Sequence, residues 1–183
     1  MDHAELVRLL QDGVVAKGGR WADLGAGEGA FTLALADLLG PGAHITAVDR
    51  DSRSLLGLRG AMGKRFPATG LEIVVADFTR PLELAGLDGV VMANSLHFVR
   101  DKRPVLAYVR EMLRPAGSVI IVEYGADRGN PWVPHPFSYT TWERLASDSG
   151  FEGTRLLRTI PSRFLGTLYS SVSHRPLASQ VVT

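Results

Sequence analysis

The residues best suited to chemistry stand close together near the start of the chain, in Trp21-Ala22-Asp23-Leu24-Gly25-Ala26-Gly27-Glu28-Gly29-Ala30-Phe31. A short apolar run leads into three glycines within five residues, and a helical pattern begins at Ala30. Glycines let the backbone turn sharply and bring main-chain N–H groups close to a ligand with no Cβ in the way. A strand, a glycine turn and a helix N-terminus make a nucleotide-binding corner. The dinucleotide fingerprint is G-x-G-x-x-G, whereas here the third glycine comes one residue early, as Gly25-x-Gly27-x-Gly29. Asp23 precedes the turn and Glu28 lies within it. Two acids repel a pyrophosphate and favour a ligand carrying cationic groups.

Further acids follow at what read as strand ends. Asp49 comes 24 residues after Gly25, near the roughly 20-residue spacing expected of a ribose-binding carboxylate. A plain helix-capping aspartate is the competing reading. Asp77-Phe78 closes a third apolar run, and Asn94-Ser95-Leu96-His97-Phe98 follows a fourth.

The stretch Asp23-Leu24-Gly25-Ala26-Gly27-Glu28-Gly29 resembles motif I of the class I S-adenosylmethionine (SAM)-dependent methyltransferases, an acid followed by G-x-G-x-G. The resemblance extends over nearly the whole chain from Arg20. It implies SAM as cofactor, with Asp23, Gly25, Ala26, Gly27 and Gly29 at its amino-acid end and Asp49 on the ribose. It also implies Asp77 and Phe78 at the adenine, and Asn94 and Ser95 at the ammonium group. Arg50 stands where the family often has an apolar residue over the adenine; an arginine's stem or planar head can cover a ring instead. The 94–98 stretch is not the (Asp/Asn)-Pro-Pro-(Tyr/Phe) of amino-methyltransferases. It is similar to the turn of small-molecule methyltransferases.

His97 has two readings. It is a general base taking a proton from the acceptor, since its ordinary pKa suits that work, or it is a structural histidine packing the loop. The structural role is preferred, because methyl transfer often needs little base. Glu123 and Tyr124 share the same edge. Tyr139, with His135, lies in or beside the loop Asn130-Pro131-Trp132-Val133-Pro134-His135-Pro136-Phe137, which is expected to reach over the pocket and makes Tyr139 the second catalytic candidate.

The elements that must position these residues alternate. Helix is expected from the Asp2/Glu5 capping-box pattern to near Gly13, then over Ala30–Leu39, Ser52–Met62, Asp101–Leu113 and Tyr139–Ser149, with a helical turn near Pro81–Ala85. Strands are expected at Arg20–Leu24, His44–Val48, Leu71–Ala76, Gly89–Ala93, Ser118–Glu123, Arg155–Ile160 and Thr167–Ser173, with Pro115-Ala116-Gly117 as a turn. That alternation argues an α/β class with a mostly parallel sheet. The resemblance sharpens it to a Rossmann-like methyltransferase fold, seven strands in the order 3-2-1-4-5-7-6 with strand seven antiparallel. One domain over 1–183 is expected: an N-terminal helix (1–18), a cofactor-binding half (20–124) and a substrate-side half ending in a hairpin (125–183).

Composition bounds the rest. With 183 residues, 45% hydrophobic and 21% charged, the chain is an ordinary globular one. No apolar run nears the roughly 20 residues that span a bilayer, and Met1-Asp2-His3-Ala4-Glu5 does not read as a signal peptide, so a cytoplasmic location is expected. The absence of cysteine excludes disulfides, thiolate metal sites and methyltransferases that attack through a thiol. The five histidines lack metal-ligand spacing, so no metal is expected. A net charge of +1 and dispersed arginines disfavour nucleic acid. The expected partner is a small-molecule acceptor of an O-, N- or C-methylation, and a homo-oligomer remains open. The competing readings are a SAM-binding but non-catalytic regulatory or partner subunit, and an NAD-dependent oxidoreductase.

Overall fold

The sheet is built outward from strands whose residues are apolar without interruption, as strands covered on both faces must be. In the computed structural model, which describes residues 1–177, β1 (Arg20–Leu24) is buried from Trp21 onward and β4 (Leu87–Ala93) is almost wholly buried. β1 pairs in parallel with β2 (His44–Asp49) on one side and β4 on the other. β3 (Gly70–Val75) extends the sheet beyond β2, and β5 (Leu113–Tyr124) extends it beyond β4. β7 (Thr167–His174) runs antiparallel to β5, and β6 (Glu152–Pro161) pairs antiparallel with β7 at the far edge. The order is β3-β2-β1-β4-β5-β7-β6, as expected.

Alternation along the strands divides the core in two. Trp21, Ile45, Val91 and Ile120 face α1 (His3–Leu10), α2 (Ala30–Leu39) and α3 (Leu58–Arg65). Ala22, Val90, Met92 and Ile121 face α4 (Arg103–Met112) and α5 (Tyr139–Asp148). The Asp2/Glu5 capping box forms: Glu5 N–H donates to Asp2 Oδ1 at 2.8 Å, and Asp2 N–H to Glu5 Oε2 at 3.0 Å. Among the described residues no helix is long and apolar enough to cross a membrane, and no cluster of three metal-ligating side chains occurs.

Three elements differ from expectation. The helix expected over Ser52–Met62 begins only at Leu58 and runs to Arg65. Asp49 Oδ1 accepts the Asp51 N–H (2.9 Å) and Asp51 Oδ1 the Arg53 N–H (3.0 Å), so carboxylates stand in for helical acceptors and hold 52–57 in turns. Pro81–Ala85 carries no helical turn. Pro115-Ala116-Gly117 is a bulge inside β5, where the register against β4 shifts between Leu87 and Gly89 and Ala116 takes φ +61°.

Strand order reverses between β1 and β4, which opens a crevice at their carboxyl ends. The two strands are packed by a cross-strand pair, Trp21 opposite Gly89. A Cβ on Gly89 would fall 2.2 Å from the Trp21 ring, which is buried. Gly89→Ala is therefore expected to cost about 1–3 kcal/mol by overpacking. Urea unfolding checks this, and an unchanged midpoint would show that the indole can shift.

Candidate active site

The glycine turn is tied to β2 before any ligand is considered. Gly25 and Ala26 both donate their N–H to Val48 O, at 2.8 and 3.0 Å. Gly25 has φ +84°, and a Cβ there would fall 2.4 Å from Ser95 Cβ and 3.3 Å from the Phe78 ring. Gly27 donates its N–H to Asp49 Oδ2 at 2.8 Å, and a Cβ on it would meet nothing within 4 Å. Gly25 and Gly27 thus line a cavity of about 540 Å³, within the range of ligand sites.

Its other walls are the strand ends. Asp49 and Arg50 follow from β2; Asp77 and Phe78 come after β3; Asn94 and Ser95 come after β4. Thr79 donates both its N–H (2.9 Å) and its hydroxyl (2.7 Å) to Asp77 Oδ1, and these bonds hold the Asp77 carboxyl below the usual carboxylate range. Sequence reasoning missed Asp51, Thr79, Phe98 and Val99, which also face the cavity. A signal existed for two of them, since Asp51 and Thr79 each stand two residues after a strand-end acid.

Three expected cofactor residues do not reach this wall. Gly29 sits at the start of α2 with φ +82°, where a Cβ would fall 2.3 Å from Leu58, so its task is helix packing. Ala26 points into the apolar core. Asp23 is 1% exposed and accepts the Thr32 hydroxyl at 2.6 Å. Burial pushes its carboxyl up to about 6, with the Thr32 bond opposing and the neighbouring Asp49 charge adding to the rise.

The 94–99 loop is pinned from below. Ser95 Oγ donates to Leu24 O at 2.8 Å, and Asn94 N–H to Val122 O at 2.8 Å. Glu123, wholly buried, accepts from Leu96 N–H (2.8 Å) and His97 N–H (3.1 Å) through Oε1, while its Oε2 lies 2.8 Å from His97 Nδ1. Lys102 Nζ donates to Val99 O (2.8 Å) and His135 O (3.0 Å), which joins this loop to the proline-rich one. Asn94 is left with φ +52° and a buried Oδ1 that has no partner among the described residues. A buried orphan acceptor in a cavity wall is a place for a donor from outside the chain.

Both catalytic candidates are turned away. His97 is 3% exposed, bound to Glu123 and packed between Phe98 and Tyr124, and it lines neither this cavity nor the next. Tyr139 opens α5, stacks edge-on against Tyr169 and donates to Glu143 at 3.3 Å, again off both cavities. The proline-rich loop does not cover the first cavity either, because Val133 and Phe137 are buried in the two cores.

A second cavity of about 580 Å³ shares Asn94 with the first. Tyr124 at the end of β5, Leu168 on β7 and the turn Pro161–Phe164 form most of its wall, and the start of α1 closes one side. Two spaces meeting at one residue suit a reaction between two bound molecules.

A sequence profile for methyltransferase domains matches residues 22–121. An O-methyltransferase of Penicillium expansum is 29% identical over 120 residues, covering 65% of this chain and 43% of that protein. A demethylmenaquinone methyltransferase of Staphylococcus aureus is 29% identical over 119 residues, covering 63% and 47%. The chain spans less than half the length of the curated relatives it matches. A SAM-dependent methyltransferase structure from Methanosarcina mazei superposes with a TM-score of 0.70 at 18% identity, covering 91% of this chain and 97% of that one.

Two outcomes follow from the buried carboxylates. Glu123→Ala leaves two N–H groups and an imidazole without their acceptor, so a loss of about 3–5 kcal/mol is expected in denaturant unfolding. Glu123→Gln, whose amide oxygen still accepts both N–H groups, should lose clearly less; equal losses would show that the N–H bonds contribute little. For Asp23 the native carboxyl holds its proton up to about 6 and the unfolded one only to 3.8. The native state therefore binds the extra proton between those values, and this group's contribution to stability falls as pH rises across that window. Comparison of wild type with Asp23→Asn between pH 3.5 and 7 (a window chosen to bracket the shift, about 1.4 kcal/mol per pKa unit) should show that slope only in wild type.

Proposed function

The chain belongs to the class I SAM-dependent methyltransferases, and from that premise we propose that it transfers a methyl group from SAM, bound in the first cavity, to a small-molecule acceptor. The observation that carries this reading is the buried Asn94 Oδ1, without a partner among the described residues, in one cavity with Gly27 and the Asp49 carboxylate. SAM offers the matching groups: an ammonium for Asn94, ribose hydroxyls for Asp49, and an adenine for Asp77 and Phe78. Asp49 keeps one oxygen on Gly27 N–H and the other on Asp51 N–H, so its carboxylate is already oriented, with lone pairs left for two hydroxyls. Arg50 borders the same space and can cover the adenine with its stem. Asp49, Asp51 and Asp77 around the cavity suit a cationic ligand better than the pyrophosphate of NAD.

When bound, SAM supplies an electrophilic methyl carbon on a sulfonium, which is the difficult part of the chemistry. The chain's residues bind, align and exclude water. Alignment of two bound reactants is worth on the order of 7–11 kcal/mol in favourable intramolecular cases. The names of the two curated relatives, one an O-methyltransferase and one acting on demethylmenaquinone, support a small acceptor. Dispersed basic residues and a net charge of +1 argue against nucleic acid. A second reading, a SAM-binding subunit without turnover, is favoured by the inward turn of His97 and Tyr139, which leaves neither on a cavity wall.

Calorimetric titration tests the cofactor assignment. SAM and S-adenosylhomocysteine are expected to bind and NAD not; failure of both SAM and its product at millimolar concentration would remove the reading. Asp49→Ala is expected to weaken SAM at least about tenfold, the cost of roughly one charge-assisted hydrogen bond. An unchanged affinity would take Asp49 out of the site. Release of S-adenosylhomocysteine in the presence of acceptors separates the enzyme from the non-catalytic subunit.

A further inference from the structure

The second cavity has a chemical character of its own. Tyr124, Ile160, Pro161, Phe164 and Leu168 give it apolar walls, and Phe164 stands 68% exposed. Tyr124 and Arg163 bring hydrogen-bond donors to this wall, beside Asn94 and Ser162. The Tyr124 hydroxyl has no hydrogen-bond partner among the described residues, and burial raises its pKa, so it stays a neutral donor at neutral pH. Arg163 takes part in no ion pair among the described residues. The one carboxylate on the wall, Glu5, accepts the Asp2 N–H with its Oε2 and so belongs to the start of α1. No histidine lines the cavity, since His97 is turned into its bond with Glu123.

These groups can hold an anion, and the carboxylate among them, Glu5, is far too weak a base to make one from an aliphatic alcohol. An aliphatic alcohol would arrive with a proton that nothing on the wall is placed to take, and an ammonium would meet the Arg163 charge. An acceptor acidic enough to ionise in water needs no base. Resting on the methyl-transfer reading above, we propose that the second cavity binds the acceptor as its own anion, a flat apolar phenolate or enolate. Its oxygen is held by the Tyr124 hydroxyl and Arg163, and its body lies against Leu168 and Phe164.

The balance is complete with the two bound molecules and water. The acceptor's proton leaves to solvent before transfer. An electron pair of the anion forms the bond to the methyl carbon, and the carbon–sulfur bond breaks with its pair remaining on sulfur. An anion and a sulfonium become a neutral methylated acceptor and a neutral thioether. Charge disappears along this path, so apolar walls at Leu168 and Phe164 favour the transition state over separated, hydrated ions.

The test uses 4-nitrophenol, whose absorbance reports its ionisation, with the full chain saturated in S-adenosylhomocysteine so that no turnover occurs. Its ionisation midpoint is expected to fall by about one pH unit on binding, as beside a nearby cation. Arg163→Leu, a change at an exposed turn, should abolish most of that shift, and Tyr124→Phe part of it. The neutral ether 4-nitroanisole should bind more weakly. An unshifted or raised midpoint, or a midpoint indifferent to Arg163→Leu, overturns the proposal. So does the absence of probe binding at millimolar concentration while S-adenosylhomocysteine still binds, an outcome that leaves the cofactor reading standing. Failure of S-adenosylhomocysteine itself to bind would instead bring down that underlying reading.

Discussion

The ends of β1 and β4 approach so closely at Gly25 and Ser95 that no side chain fits between them. That contact sets the crevice at the reversal of strand order, and the rest of the site is arranged around it. Ser95 reaches back to the last carbonyl of β1, while the turn after β1 is held to β2 by Val48 O and the Asp49 carboxylate. Three parallel strands are thus locked together at one end by main-chain and short side-chain bonds. Parallel neighbours deliver their carboxyl ends to the same edge, so acids placed last in each strand converge without being close in sequence.

The charges are layered. Asp23 lies beneath the turn in apolar surroundings that disfavour its ionised form, and the carboxylate of Asp49 above it adds to that effect. Asp49, Asp51 and Asp77 lie on the cavity wall itself, each already accepting backbone N–H groups. A cationic ligand arriving here meets carboxylates oriented before it binds, which lowers the cost of ordering them.

Asn94 is the hinge between the two cavities, and its conformation is imposed from behind. Glu123 gathers the Leu96 and His97 amides and the His97 ring, and Lys102 ties the loop to His135. A buried hydrogen-bonded network of this kind is costly to leave unsatisfied, so it specifies one arrangement of the loop. The residue best equipped to be a base is occupied in holding the loop.

The glycine turn and the strand-end acids were legible in the chain, because each is local or follows from a period, while the strand order came from the family resemblance those motifs carry. Glycine spacing reports backbone curvature, and apolar runs ending in acids report where buried strands meet the crevice. Which glycine faces the ligand was not local. Gly27 opens on the cavity and Gly29 on Leu58, a residue nearly thirty positions away, and only the packing of α2 against α3 separates them. The delayed start of α3 depended on carboxylates competing for backbone N–H groups, a contest that periodicity does not record. His97 is held by Glu123, in keeping with the structural role preferred from the sequence, and Tyr139 lies against Tyr169 off both cavities. The sequence by itself determined which groups arrive at the carboxyl edge of the sheet, since that follows from strand boundaries. Only the tertiary structure decided which of them point outward, because that depends on partners such as Glu123 and Tyr169 that lie far along the chain.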